Sequence, residues 1–250
     1  MKTGILAEID QLTEVTRGIT IALVGAGGKT SLMVCLSKHL PGATVCTTST
    51  KLSADEAEFF DRHFIWDSDS LVLPDFLGEI DNILITGDPN EVEGHIKLSG
   101  LTENQLIALK QICTENHRCL IVEADGSKRR PLKAPADWEP VIPAFSDLVI
   151  VVVGLAGLMK PLNEENVFRS QIFAQLTGLE SGQAVDLKAI LRYLKHPLGG
   201  LKGIPEKAKK FVLFNFARFD CPEFVDMKLI DEELNGVFDH FFIEDISLPS

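Results

Sequence analysis

The apolar run Ile19-Thr20-Ile21-Ala22-Leu23-Val24 breaks directly into Gly25-Ala26-Gly27-Gly28-Lys29-Thr30-Ser31, and apolar side chains then follow at 32, 33, 36 and 40. The first run reads as a buried strand. The later spacing is helical, and it stops at Pro41-Gly42. A strand that turns into a helix through glycines constrains the fold strongly. Glycines allow successive N–H groups to point into one concavity. The helix adds the partial positive charge of its N-terminus, so the junction is an anion site before any side chain acts. Lys29 can reach the terminal phosphates of a nucleotide, and the Thr30 hydroxyl can ligate Mg²⁺. Gly25, Ala26, Gly27, Gly28, Lys29, Thr30 and Ser31 are therefore the candidate phosphate-binding residues.

The same alternation of runs continues along the chain. Strands are expected at 43–46, 63–66, 82–86, 118–123, 148–153, 211–214 and 238–243. Helices are expected over 5–12, 30–40, 54–60, 102–113, 163–177, 186–194 and 226–235. Thr102 and Gln105 form a capping box at the head of one of them. Continuous apolar strands alternating with helices predict an α/β fold: a mostly parallel sheet with helices on both faces, a P-loop NTPase-like three-layer sandwich. The 148–153 run is the most continuous and is expected at the sheet centre. Neither a repeat nor a low-complexity linker divides the 250 residues. They read as a single domain with a β-rich insertion at about 53–100.

Charge and cysteine usage exclude several classes. Lys and Arg number 24 against 36 Asp and Glu, a net charge of −12. Such a surface repels nucleic acid and anionic membranes, so neither is expected as a partner, and any phosphate must meet a local basic site. The five cysteines, at 35, 46, 113, 119 and 221, include no Cys-x-x-Cys pair. That favours free thiols in a reducing compartment. The N-terminus lacks a basic start and an apolar run. The longest apolar stretch, 148–159, has 12 residues, where a membrane span needs about 20. A cytoplasmic protein is expected. The histidines are scattered, with no zinc-binding spacing.

Further candidates follow from the expected sheet edge. Ile121-Val122-Glu123-Ala124-Asp125 is an apolar strand ending in two acids. In a phosphate-loop enzyme an acid there holds Mg²⁺ or positions the attacking group. Glu123 and Asp125, with Lys29, are the catalytic candidates, and Thr30, Glu123 and Asp125 are the metal candidates. Lys128, Arg129 and Arg130 belong to a run with four cations in six residues, 128–133. They suit a clamp on phosphates or on an anionic substrate. Thr48 and Lys51, in Thr47-Thr48-Ser49-Thr50-Lys51, end the second strand and can line the nucleotide site.

The nucleotide is expected to be ATP, with GTP as the alternative. Asn215-Phe216-Ala217-Arg218 does not meet the guanine pattern Asn-Lys-x-Asp, and Asp220 lies two residues further on. A dinucleotide fold would want glycine or alanine at Thr30 and an acid after the second strand. Both are missing, although Lys51 keeps an NADP-binding Rossmann-like protein as a minor alternative. The glycine loop lacks the usual first glycine, since Leu23 stands there. Its shorter form, Gly25-x-x-Gly28-Lys29-Thr30, resembles the loop of the Mur ligases and folylpolyglutamate synthases.

Taken together, the loop at 24–31, Thr-Thr-Ser-Thr-Lys at 47–51, Glu-Ala-Asp-Gly-Ser-Lys at 123–128, Pro131 to Pro135, Glu139 to Pro143 and the Gly154 to Arg169 stretch resemble the YqeC-like family. Its members are described as selenium-dependent hydroxylase accessory proteins. The family tends to have histidine where Phe168 stands, so no role is carried over for that side chain. The resemblance implies a part in the maturation of selenium-dependent molybdenum hydroxylases. That part is either ATP-dependent chemistry, or nucleotide-gated carriage of an apo-hydroxylase or a molybdenum cofactor.

Overall fold

The structure is a computed structural model that describes residues 4–15, 18–40, 44–66, 82–217 and 225–248. Pro41, Gly42, Ala43, Arg218, Asp220 and Cys221 lie outside the described residues.

In chain order the first half carries α1 (Ile5–Val15), β1 (Thr20–Ala26), α2 (Lys29–His39), β2 (Thr44–Thr48), β3 (Lys51–Ser53), β4 (Arg62–Ile65), β5 (Asn82–Thr86), β6 (Pro89–Val92), β7 (His95–Ser99) and α3 (Glu103–Glu115). The second half carries β8 (Cys119–Glu123), β9 (Leu132–Lys133), β10 (Leu148–Gly154), β11 (Val167–Phe168), α4 (Ser170–Thr177), α5 (Leu187–Lys195), β12 (Lys209–Asn215), α6 (Met227–Leu234) and β13 (His240–Glu244). Eight strands form one sheet in the order β13-β12-β10-β1-β8-β2-β5-β4. Every pairing in it is parallel.

The side-chain period of two sorts β1 between two cores. Ala22 and Val24 pack with Phe173 of α4 and Ile190 and Leu194 of α5. Ile21 and Leu23 pack with Ile5 of α1 and Leu32 and Leu36 of α2. A third core sets Leu106 and Leu109 of α3 on Leu120 and Val122 of β8. The register Ala22↔Val122 places that core on the α4–α5 side. Helices therefore cover both faces, and the architecture is the expected three-layer α/β sandwich.

Three local expectations change. β10 lies between β12 and β1, one place off the middle pair β1–β8. A continuous apolar run reports burial on both faces, which β1 and β10 share, and not rank in the sheet. The helix expected from 163 begins at Ser170. Asn163 accepts the N–H groups of Glu165 and Asn166 instead, and the Glu164 carboxylate accepts those of Arg169 and Ser170. These local bonds compete with helix and fix its start later. The 54–60 segment is 3₁₀, Ala54–Phe59, held at its head by a Ser53–Glu56 capping box. Within 53–100, β4 and β5 join the large sheet, while β3, β7 and β6 form a separate antiparallel one.

Among the described residues no helix is long and apolar enough to cross a membrane. Burial pushes the Cys113 thiol up to about 12 and raises Cys46 and Cys119 as well. The thiolate is the reactive form. Iodoacetamide at about pH 8 should therefore leave these three unlabelled in the native protein and label them after unfolding, by mass spectrometry. Rapid native labelling would mean that these cores open.

Candidate functional site

In a parallel sheet the carboxyl ends of all strands share one edge, where ligands bind. Here that edge gathers the ends of β1, β8, β10 and β12. The glycines are required by how closely the chain packs there. A Cβ on Gly25 (φ 92°) would lie 2.2 Å from the carbonyl oxygen of Val152. One on Gly27 (φ 81°) would lie 2.4 Å from the Cα of Gly154 and 2.7 Å from the carbonyl oxygen of Pro131. Gly28 at φ 137° faces the Asn215 amide, so a Cβ there would meet Nδ2 at 2.2 Å.

α2 opens immediately behind this loop, with Gly28 as its N-cap. Lys29 is 4% exposed. Its ammonium folds back over the loop to donate to the Gly25 carbonyl at 2.8 Å. It also pairs with Asp125 Oδ1 at 3.2 Å and Glu123 Oε1 at 3.7 Å. Burial opposes the Lys29 charge, but the carboxylates of Asp125 and Glu123 outweigh it and hold the ammonium above its ordinary value. Thr30 Oγ1 lies 3.0 Å from Glu123 Oε2 and 3.4 Å from Glu56 Oε1. Burial pushes Glu123 up to about 7 against the pull of Lys29, and the nearby Glu56 carboxylate adds to the rise.

The two acids of the β8 end thus divide their work. Glu123 faces Thr30 and Lys29. Asp125, 2% exposed, is turned beneath the loop. It accepts the Gly25 N–H at 3.1 Å and pairs with Lys133 at 3.0 Å as well as with Lys29. Thr48 donates its hydroxyl to the Glu123 carbonyl at 2.9 Å and so fixes the strand end that carries Glu123. Ala26 is buried at 2%. Ser31 is half-buried in the first turn of α2, and Lys51 projects exposed from β3.

The basic run divides as well. Lys128, Arg129 and Arg130 are exposed. Lys128 pairs with Glu93 at 3.7 Å and Arg129 with Asp55 at 3.7 Å. Exposed pairs of this kind contribute about 0–1 kcal/mol, so both cations can be drawn to another anion. Lys133 is 2% exposed and bonds the Gly126 carbonyl at 2.7 Å and Glu139 at 2.8 Å. Arg169 closes the series with a two-pronged contact to Glu139 at 2.6 and 3.0 Å. Burial works against the Glu139 charge, but Arg169 and Lys133 overcome it and hold the carboxyl below its ordinary value. A continuous line of alternating charge therefore runs Lys29, Asp125, Lys133, Glu139, Arg169.

Asn215 spends its amide within the protein. Its amide donates to the Gly27 carbonyl at 2.9 Å and to the Ile246 carbonyl at 3.1 Å. Its Oδ1 accepts the N–H groups of Ile246 and Ala217. It ties the glycine loop to the C-terminal segment. Sequence reading missed Glu56, Glu139 and Arg169 and the buried place of Lys133. Lys133 belongs to the visible cation run. Glu56 carries a capping signal only, and Glu139 and Arg169 lie in stretches that carry the family resemblance but gave no sign of a role.

The donors around Thr30 are hard oxygens, the type that Mg²⁺ prefers. Among the described residues no group of three or more His, Cys, Asp or Glu side chains is placed to hold a metal by itself.

The comparisons bear on the same edge. No solved structure matches the chain. A protein similar to it is "Uncharacterized protein YqeC" of Escherichia coli (strain K12), 32% identical over 203 residues, 80% of this chain and 76% of that one. The family model described as YqeC protein matches residues 21–171, which hold the glycine loop, Glu123, Asp125 and the whole line of charges to Arg169. The chain belongs to the YqeC family.

Proposed function

We propose that the chain binds a magnesium nucleotide, ATP in preference to GTP, at the loop Gly25–Ser31, in a P-loop NTPase-like manner. The observation that carries this reading is the convergence of the Lys29 ammonium, the Thr30 hydroxyl and the Glu123 carboxylate at the N-terminus of α2, beside glycines whose packing admits no side chain. Loop N–H groups and Lys29 receive the phosphates. Thr30 and Glu123 would hold Mg²⁺, with Asp125 fixing Lys29 and the Gly25 N–H behind them. When bound, the cation neutralises charge between the phosphates and the acids and polarises a phosphoryl oxygen. Lys128, Arg129 and Arg130 border the mouth and act on an anionic substrate. The chain works in the cytoplasm as an accessory protein in maturation of selenium-dependent molybdenum hydroxylases. It serves there either as an ATP-dependent enzyme or as a nucleotide-gated carrier of the apo-enzyme or its cofactor.

Two measurements test this. A thermal-shift panel of ATP, GTP and NADPH with and without Mg²⁺ should raise the melting point most with Mg-ATP, because a ligand of the folded state stabilises it. Strong preference for GTP or NADPH overturns the nucleotide assignment. Glu123→Gln should remove most of the Mg²⁺ dependence of ATP affinity in a calorimetric titration. Two acids beside a triphosphate repel it by several kcal/mol, at an effective dielectric of about 20, unless a divalent cation intervenes. Undiminished Mg²⁺ dependence in that variant removes Glu123 from the metal site.

A further inference from the structure

The charge line from the glycine loop ends at a surface that nucleotide binding leaves unexplained. Arg169 lies over the Phe168 ring with its guanidinium carbon 4.3 Å from the centroid, and 6.0 Å from the centroid of Trp138. Lys128 stands over the same Phe168 ring at 5.8 Å. Trp138 is 75% exposed, whereas Trp66 is 4% exposed. An indole left in water beside cations is a ready platform for a flat ring.

The Arg169 donors are only partly used. One Nη1 hydrogen goes to Glu139 and one to the Ala134 carbonyl, and Nη2 gives one to Glu139. A guanidinium carries five N–H groups. Nε and one Nη2 hydrogen therefore remain without a partner among the described residues. The Glu164 carboxylate is engaged by the backbone N–H of Arg169 and by Ser170.

Backbone strain concentrates at the same place. Among the described residues six non-glycine residues have positive φ, and three of them are Lys128, Arg129 and Arg169. Such conformations persist where the surrounding structure enforces them, and they gather at ligand sites. The enforcement here is visible. β9 and β11 pair as Val167↔Leu132 and Phe168↔Lys133, which locks the Phe168–Arg169 segment to the basic segment. The patch is thus held in place, while the ion pairs that Lys128 and Arg129 make are exposed and weak.

We propose that Trp138, Phe168, Arg169 and Lys128 form a second ligand site, which takes a planar ring bearing a phosphate or carboxylate. The ring stacks on Trp138, and the anion is met by Lys128 and by the free N–H groups of Arg169. Both halves are needed: the indole offers area without charge, and the cations offer charge without a flat surface. The site shares Lys128 with the mouth of the glycine-loop site but does not depend on nucleotide binding there.

The test uses the full chain and three probes in equilibrium dialysis: 1-naphthyl phosphate, which has ring and anion, 1-naphthol, which has the ring alone, and inorganic phosphate. The naphthyl phosphate should bind at sub-millimolar concentration and quench Trp138 emission, with each control about tenfold weaker or worse. Trp138→Ala and Lys128→Gln, both exposed positions, should each weaken it by about tenfold at unchanged melting temperature. Lys29→Met should leave it untouched, and excess Mg-ATP should not displace it. Equal binding of 1-naphthol, no binding at millimolar concentration, or indifference to Trp138→Ala overturns the proposal. Displacement by Mg-ATP together with loss in Lys29→Met assigns the probe to the glycine loop and overturns it equally.

Discussion

Lys29→Met is expected to lower affinity for Mg-ATP by about 100-fold or more, which is about 2.8 kcal/mol, while leaving the fold in place. The ammonium is held over the loop, bonded to the Gly25 carbonyl and within 3.7 Å of both acids. Losing a buried cation ordinarily destabilises by about 3–5 kcal/mol, because its partners stay charged and unpaired. Here both partners have a remedy. Asp125 retains Lys133 at 3.0 Å and the Gly25 N–H at 3.1 Å. Glu123, already pushed up to about 7, loses the pull of Lys29 and takes a proton. Calorimetry should show the lost binding, and circular dichroism the retained fold. Unchanged ATP affinity would falsify the phosphate-loop reading.

Lys133→Met should act in the opposite way, on stability first. Lys133 is 2% exposed and bridges Asp125, Glu139 and the Gly126 carbonyl. Its removal takes one cation from Asp125 and one from the half-buried Glu139, which keep Lys29 and Arg169 respectively, and leaves the Gly126 carbonyl without its donor, which costs about 1.5–3 kcal/mol. At about 2–4 °C per kcal/mol for a domain of this size, the melting temperature should fall by roughly 3–12 °C. Lys128→Met, five residues earlier and exposed, should stay within about 0.5 kcal/mol of wild type. A fall under about 2 °C in Lys133→Met would show the network to be solvated.

The same network sets a response to acid. The Glu139 carboxyl is held below its ordinary value by Arg169 and Lys133, against the effect of burial. A carboxyl with a lowered folded value contributes stability above its unfolded value, about 4.3, and that contribution is lost as pH falls through the folded value.

The sequence by itself determined the layers and the loop. Buried parallel strands must read as continuous apolar runs, and a strand that breaks into glycines before a helix leaves little choice of local structure. That is why β1, the loop and α2 were legible, and why Glu123 could be placed on the same edge as Lys29. The Thr102–Gln105 capping box was legible for the same reason: its bonds span three residues.

Tertiary structure alone decided the rest, because the deciding contacts join residues far apart in the chain. The Asn163 and Glu164 bonds that delay α4 override a helical pattern that periodicity could not distinguish from them. Glu56 reaches Thr30 across 26 positions, and Asn215 reaches Gly27 across 188. A run of cations looks uniform in sequence. Only the β9–β11 pairing, which turns Lys133 inward toward Asp125 and Glu139 and leaves Lys128 outside over Phe168, separates a buried structural charge from an exposed one. Burial makes that difference, since the same ammonium that is nearly neutral to stability in water becomes indispensable between two desolvated carboxylates.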